Sequence, residues 1–171
     1  MSRFKKHKAL DAALHSKIVD PSHLVARVQE WRAQGKTIVT LNGSFDLLHA
    51  GHLEMIFQAS CQADLLLMLL NTDRSIQEYK SPSRPIIALK YRLSMIAALE
   101  MVDYVSWFDE TDPRRILAQI QPDVHVNGAE YGVNCIEADV VRECGGKLHI
   151  VDLVPGLSTS LIVKKIVDTC A

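Results

Sequence analysis

Apolar and polar positions change period repeatedly along the chain, and those changes divide it into short strands and helices. Residues 37–41 alternate and then merge into a buried-strand pattern, after which Leu53, Ile56, Phe57 and Cys61 recur at helical spacing. Residues 64–70 are continuously apolar behind Asp64, as expected of a strand covered by helices on both faces, which implies a parallel sheet. Leu89, Leu93, Ile96 and Ala97 form a helical stripe, residues 104–108 read as a strand, and Thr111-Asp112-Pro113 is a helix-start signal. A fourth short strand follows over residues 123–126, then a helix over 136–143 closed by Gly145-Gly146, and a fifth strand over 147–153. Ser158 opens a last helix with Leu161, Ile162, Ile166 and Val167 inside. Ahead of the first strand the pattern predicts a helix over residues 21–34 in which Trp31 is a packing anchor.

Strand and helix alternating five times predict an α/β protein with a doubly wound parallel sheet, whose ligands sit beyond the strand carboxyl ends at a topological switch point. We expect an N-terminal extension with a helix over residues 1–35 and the sheet domain over 36–171, one domain overall. The charge is nearly balanced at −1, which gives no electrostatic footprint for nucleic acid or an anionic membrane. The basic stretch from Ser2 to Lys8 lacks a following apolar segment and reads as a solvated tail, while the apolar run over 63–70 is too short to span a bilayer. Cys61, Cys135, Cys144 and Cys170 have no paired spacing, and we expect reduced thiols in a cytoplasmic protein, with Cys61 in the core.

Chemistry concentrates at the first strand-to-helix junction, Asn42-Gly43-Ser44-Phe45-Asp46-Leu47-Leu48-His49-Ala50-Gly51-His52. Free N–H groups and the positive helix end favour an anion there, and Gly43 and Gly51 let a phosphate approach the main chain. His49 and His52 share a helix face and can donate to phosphate oxygens. A His-x-x-His pair by itself is more often two solvated or core histidines; the combination with Gly43, Phe45, Asp46 and Gly51 is what singles it out. His125 alternates with apolar neighbours and reads as a satisfied core histidine. No Asp, Glu, Cys and His set resembles a zinc cage, so no protein-held metal is expected and Mg²⁺ arrives with a nucleotide.

The pattern Gly-x-Phe-Asp-x-x-His-x-Gly-His resembles that of the His-x-Gly-His nucleotidyltransferase superfamily, in its cytidylyltransferase-like branch. Within the branch the chain is most similar to the D-glycero-β-D-manno-heptose 1-phosphate adenylyltransferase domain of bacterial ADP-heptose synthases, over residues 31–168. The resemblance implies a Rossmann-like five-stranded sheet and transfer of AMP from ATP to a sugar 1-phosphate. By the same resemblance His49, His52, Lys80 and Arg92 are catalytic, and Ser158, Thr159 and Ser160 hold the β and γ phosphates, although Ser158 is also an ordinary N-cap. Asn42, Gly43, Ser44, Phe45, Asp46, Gly51, Asn127 and Gly128 are expected to bind the nucleotide and its phosphates, and Arg84, Glu130 and Tyr131 the sugar phosphate.

Several positions depart from the family pattern, among them Ser44, which stands where the pattern has the cysteine of Gly-Cys-Phe. Ser81 replaces the glycine of Lys-Gly-x-x-Arg-Pro, Asn127 the lysine and Glu130 the aspartate of Val-Lys-Gly-Gly-Asp-Tyr, the Asn127 change removing a charge that would meet a phosphate. Two alternatives stay open: a glycerol-3-phosphate or related cytidylyltransferase, disfavoured by the missing Arg-Thr-Glu before the last helix, and a non-catalytic nucleotide-binding module. The resemblance also implies a heptose kinase and phosphatase on separate chains, a product destined for lipopolysaccharide core, and compatibility with a homodimer.

Overall fold

The computed structural model describes residues 10–152 and 154–170. In chain order its elements are α1 (Leu10–His15), α2 (Pro21–Ala33), β1 (Ile38–Gly43), α3 (Ala50–Ser60), β2 (Leu65–Asn71), α4 (Asp73–Tyr79) and α5 (Leu89–Ala97). They continue with β3 (Tyr104–Phe108), α6 (Arg114–Ile120), β4 (Val124–Gly128), α7 (Ala138–Glu143), β5 (Lys147–Val151) and α8 (Thr159–Cys170). The five strands form one sheet in the order β3-β2-β1-β4-β5, every pairing parallel. The chain winds one way from β1 to β3 and then crosses to β4 on the other side of β1, so the switch point lies between β1 and β4. This is the expected Rossmann-like architecture.

Why β2 reads as an unbroken apolar run is now physical: both its faces are covered. Leu66, Met68 and Leu70 join a core with Ile56 and Ala59 of α3 and Leu93, Ile96 and Ala97 of α5. Leu67 and Leu69 join a second core with Leu24, Val28 and Trp31 of α2 and Ile116, Leu117 and Ile120 of α6. The N-terminal extension is therefore part of the packing; Trp31 stacks on Tyr104 at 4.2 Å between ring centroids. Asp20 starts α2 by accepting from the Ser22 backbone N–H at 2.9 Å, ahead of a proline in the first turn.

Some expectations fail at element ends. Cys61 is exposed, because α3 stops at Ser60 and its inner face is Ile56 and Ala59; Leu53 and Phe57 face outward. The helix expected from residue 136 starts at Ala138. The fifth strand ends at Val151, and Leu153, the last residue expected in it, lies outside the described residues. The apolar stripe of α8 is not inside: no α8 residue is buried, and Leu161, Ile166 and Val167 are about half exposed or more (50%, 52% and 57%).

Candidate active site at the switch point

A cleft of about 510 Å³ opens at the carboxyl ends of β1 and β4. Among the expected site residues, Asn42, Gly43, Ser44, Phe45, Asp46, Gly51, His49, His52, Lys80, Arg84, Asn127, Gly128, Glu130, Tyr131, Ser158, Thr159 and Ser160 line it. Arg92 does not. Residues from four separate stretches of chain converge because β1 and β4 are neighbours in the sheet, while α4 and α8 bring Lys80 and Ser158 from the flanks.

At the head of α3, His49 is the N-cap in extended backbone, and its Nδ1 accepts the His52 N–H in a weak bond of 3.4 Å. That acceptor role leaves the His49 proton on Nε2, the edge free to donate. The two imidazoles stack at 3.8 Å with their planes 22° apart. A side chain at Gly51 would press on the His49 ring at 3.1 Å, so the small residue is needed for this stack. Phe45 takes the left-handed region at φ 44°, and its ring covers Gly43 and tilts against His52 at 5.3 Å.

Charge in the cleft is held off balance. Burial, the adjacent His49 and the Lys80 ammonium push the His52 imidazole down to about 4. Burial also lowers His49. Lys80 is lowered first by burial and then by Arg84, with Asp46 opposing. Its ammonium donates to Ser44 Oγ at 2.8 Å. Lys80 is thus a half-buried cation whose neighbouring carboxylate, Asp46, is already paired with Arg84, so an anion entering the cleft would be stabilised beside it. His52 Nδ1 is buried without a well-formed hydrogen bond, and the Leu47 backbone is the group that favours its charged form against burial.

Two expected residues do something else. Asp46 lines the cleft, but its carboxylate accepts the N–H groups of Ile86 (2.9 Å) and Ile87 (2.8 Å) and pairs with Arg84 at 2.7 Å. An anion so committed does not meet phosphate; it clamps the segment that follows Lys80. Arg92 is 0% exposed and spends its guanidinium on the carbonyls of Ile87 (2.9 Å), Ser44 (2.6 Å) and Asn71 (2.8 Å) and on Asp73 at 2.7 Å. It braces the loop after β1 from below, so the expected contact with phosphates is not made. On sequence alone a buried bracing arginine and a phosphate-facing one look alike, because the carbonyls that hold it are invisible there.

His125 is fully buried on β4 and shares a 2.8 Å hydrogen bond between its Nδ1 and Thr40 Oγ1, opposite it on β1. Its Nε2 has no partner, and burial drives its pKa down to about 3. It is a core residue only half satisfied.

The family model described as cytidylyltransferase-like matches residues 40–166. The chain belongs to that family. Bifunctional protein HldE of Methylobacillus flagellatus is 45% identical over 156 residues, 91% of this chain and 32% of the relative. Bifunctional protein HldE of Ectopseudomonas mendocina is 41% identical over 150 residues, with 87% and 32% covered. The chain thus spans about a third of the length of the curated relatives it matches. A solved lipopolysaccharide core biosynthesis protein from Thermoplasma volcanium superposes with a TM-score of 0.57 at 25% identity, covering 70% of this chain and 98% of that one. Pantoate-β-alanine ligase from Francisella tularensis reaches a TM-score of 0.55 at 14% identity over 89% of this chain and 78% of that one, a likeness of fold.

Against this cytidylyltransferase-like background, the cleft also uses residues that motif reading passed over: Leu41, Met55, Val154 and Leu157 form its apolar wall. Leu157 lies between Gly156 and Ser158, and its Cβ comes within 3.7 Å of a Cβ built on Gly51, which ties the α8 turn to the α3 head. Tyr79 ends α4 and Lys80 caps it, a short helix that the hydropathy pattern did not single out; Thr72, accepting from the Ser75 N–H, was the available signal. Asn127 is buried and donates to Cys135 Sγ at 3.1 Å and Glu137 Oε2 at 3.2 Å.

Proposed function

We propose that the chain transfers AMP from ATP to a sugar 1-phosphate, D-glycero-β-D-manno-heptose 1-phosphate, giving ADP-heptose and pyrophosphate. The observation that carries this reading is the meeting of His49 and His52, Lys80 and the Ser158–Ser160 turn on one cleft at a switch point. Membership of the cytidylyltransferase-like family and the likeness to HldE proteins support it.

In this reading a sugar-phosphate oxygen attacks the α-phosphorus in line. A new P–O bond forms as the bond to the α,β-bridging oxygen breaks, and pyrophosphate carries the electron pair away. No protein nucleophile takes part, so catalysis is alignment plus stabilisation of charge. Neutral His49 and His52 donate hydrogen bonds to phosphate oxygens, and Lys80 offsets charge at the α-phosphate. Ser158, Thr159 and Ser160 hold the departing pyrophosphate with hydroxyls at the start of α8. Asp46 and Arg92 act indirectly, by fixing the segments that bear Lys80 and Ser44.

Mg²⁺ would arrive with the nucleotide in this scheme and would supply neutralisation of phosphate charge. No group of three His, Cys, Asp or Glu side chains suited to a metal ion occurs among the described residues, and Asp46 is engaged elsewhere. No described helix is long and apolar enough to cross a membrane, and we assign the reaction to the cytoplasm. Its sugar 1-phosphate requires a kinase and a phosphatase acting beforehand, and its product feeds lipopolysaccharide core assembly. A homodimer is the assembly we would look for.

Pyrophosphate release, measured with Mg²⁺, heptose 1-phosphate and either ATP or CTP, tests the assignment. Release with ATP alone is expected, and His52→Ala should cut turnover about 10²- to 10³-fold while leaving folding nearly intact. Release with CTP alone would transfer the assignment to a cytidylyltransferase. Nucleotide binding with no release from either would make the chain a binding module.

A further inference from the structure

At the end of β4 the cleft carries a polarity that phosphate chemistry does not use. Asn127 lines the cleft, yet its Nδ2 points to Glu137 Oε2 (3.2 Å) and Cys135 Sγ (3.1 Å), neither of which lines it. An amide has its nitrogen and oxygen on opposite edges, so a nitrogen bonded behind the wall leaves Oδ1 on the cleft side. That oxygen has no protein hydrogen bond among the described residues and is not sealed from solvent.

Glu137 is what decides the orientation. It is 6% exposed, and no Lys or Arg side chain forms an ion pair with it among the described residues. Its neighbours are the Asn127 amide and the Cys135 thiol, which burial keeps in its protonated form. A carboxylate accepts only, so flipping the amide would set Oδ1 against Oε2, two acceptors in a dry site. The Arg114 guanidinium acts on Glu137 through its field and not through a direct ion pair, so the Asn127 amide is a hydrogen-bond partner that Glu137 orients.

We propose that Glu137 is a positioning residue that holds Asn127 with Oδ1 facing the cleft, as an acceptor for an uncharged hydrogen-bond donor of the substrate. A carbonyl oxygen backed by a carboxylate repels phosphate, so the group read here is an O–H or N–H. In the presence of ATP and a sugar phosphate that group is the adenine amino group or a sugar hydroxyl, and the proposal rests on the nucleotidyl-transfer reading to that extent. Where the family pattern has a lysine, this chain has replaced an anion-binding corner by one that reads a donor.

A double-mutant cycle tests it, with wild type, Glu137→Gln, Asn127→Leu and the double variant. Gln at 137 keeps the shape but pairs with either amide edge, so only the orientation is released. Equilibrium binding of ATP and of purine riboside triphosphate, which lacks the 6-amino group, is measured beside the KM for the sugar phosphate and the melting temperature. Glu137→Gln should weaken recognition of the donor-bearing ligand by about tenfold, the size of one well-placed hydrogen bond, and should do nothing further once Asn127 is Leu. Loss seen with ATP and absent with the riboside analogue assigns the base. A raised KM for the sugar phosphate with ATP binding unchanged assigns a sugar hydroxyl. Equal losses in both backgrounds, or a lower melting temperature with ligand recognition intact, would overturn the proposal in favour of a purely structural Glu137. Because ATP binding is read without turnover, a wild-type chain that binds no ATP defeats the nucleotidyl-transfer reading itself, a result distinct from a cycle that shows no coupling.

Discussion

Two helix starts face the same cleft, and the chain holds them differently. The head of α3 is fixed from every side: Ile56 and Ala59 anchor the helix in the core, and Arg92 grips the Ser44 carbonyl. Asp46 fastens the segment at Ile86 and Ile87, and Lys80 rests on Ser44. The head of α8 has Ser158 as its cap, through the Leu161 N–H at 3.2 Å, and no buried residue behind it. One side of the cleft is therefore preorganised, with its donors aimed before a ligand enters, which is where electrostatic stabilisation gains most. The other side gains order only from what it binds or packs against, and its contribution carries the entropy of that ordering.

The comparison breaks most severely at Arg92. Arg92→Leu leaves three backbone carbonyls without their donor in a buried site and takes the ion pair from the partly exposed Asp73 carboxylate, which keeps the Leu89 N–H. We expect a loss of about 3–5 kcal/mol of stability, read as a lower urea midpoint. Turnover should fall with it although Arg92 does not reach the cleft. Arg92→Lys keeps the charge but not the planar fork and should fall between. Unchanged stability with turnover alone lost would mean that the arginine meets phosphate after all.

A second, smaller effect separates the cleft from the core through pH. His52 is held down to about 4 and His125 to about 3, both below the ordinary 6.5. Between those values the unfolded chain binds protons that the folded chain refuses, so stability is lost as pH falls below about 6.5 and the loss ends near 3 to 4. Each histidine contributes a slope of up to about 1.4 kcal/mol per pH unit in that window. The carboxylates held low by hydrogen bonds, Asp20, Asp64, Asp109 and Asp112, act near and below their ordinary 3.8, so between pH 5 and 7 the slope belongs to the lowered histidines, His49 adding to His52 and His125. Urea unfolding at pH 5 and pH 7 should show the difference, reduced by about one histidine's share in His125→Leu. Saturating ATP should remove the share of His52 and leave that of His125, because an anion beside His52 raises its pKa and cannot touch the core.

Hydropathy periods were enough to read the strands, since a parallel sheet buried on both faces writes itself as apolar runs such as Leu65 to Leu70. The same logic misplaced Cys61 and the α8 stripe, because periodicity reports which residues share a face and not whether anything covers it. The polar lining of the cleft was legible from motifs, as with His49, Lys80 and Ser158, whereas its apolar wall of Leu41, Met55, Val154 and Leu157 was not. What escaped was anything defined by a partner distant in sequence. Arg92 reaches Ser44 across 48 positions and Asp46 reaches Ile86 across 40, while Glu137 matters only because Asn127 lies in front of it. Hydrogen bonds of that kind depend on sheet order, which no local pattern encodes.

The mildest test bears on the looser side alone. Ser158→Ala removes the side-chain acceptor of the Leu161 N–H, a change of about 1 kcal/mol at an N-cap. In α3 such a loss would be spread through the core and seen in global melting. In α8, which buries no residue, it should stay local: the melting temperature barely moves, while amide exchange in the first turn of α8 rises several-fold. On the proposed reading ATP should slow that exchange again in the wild type and do so less in the variant, because the γ-phosphate end of the nucleotide would meet the N–H groups that the cap serves. If the variant instead melts well below the wild type, α8 is packed as firmly as α3 and the asymmetry of the cleft is lost as an explanation of how it works.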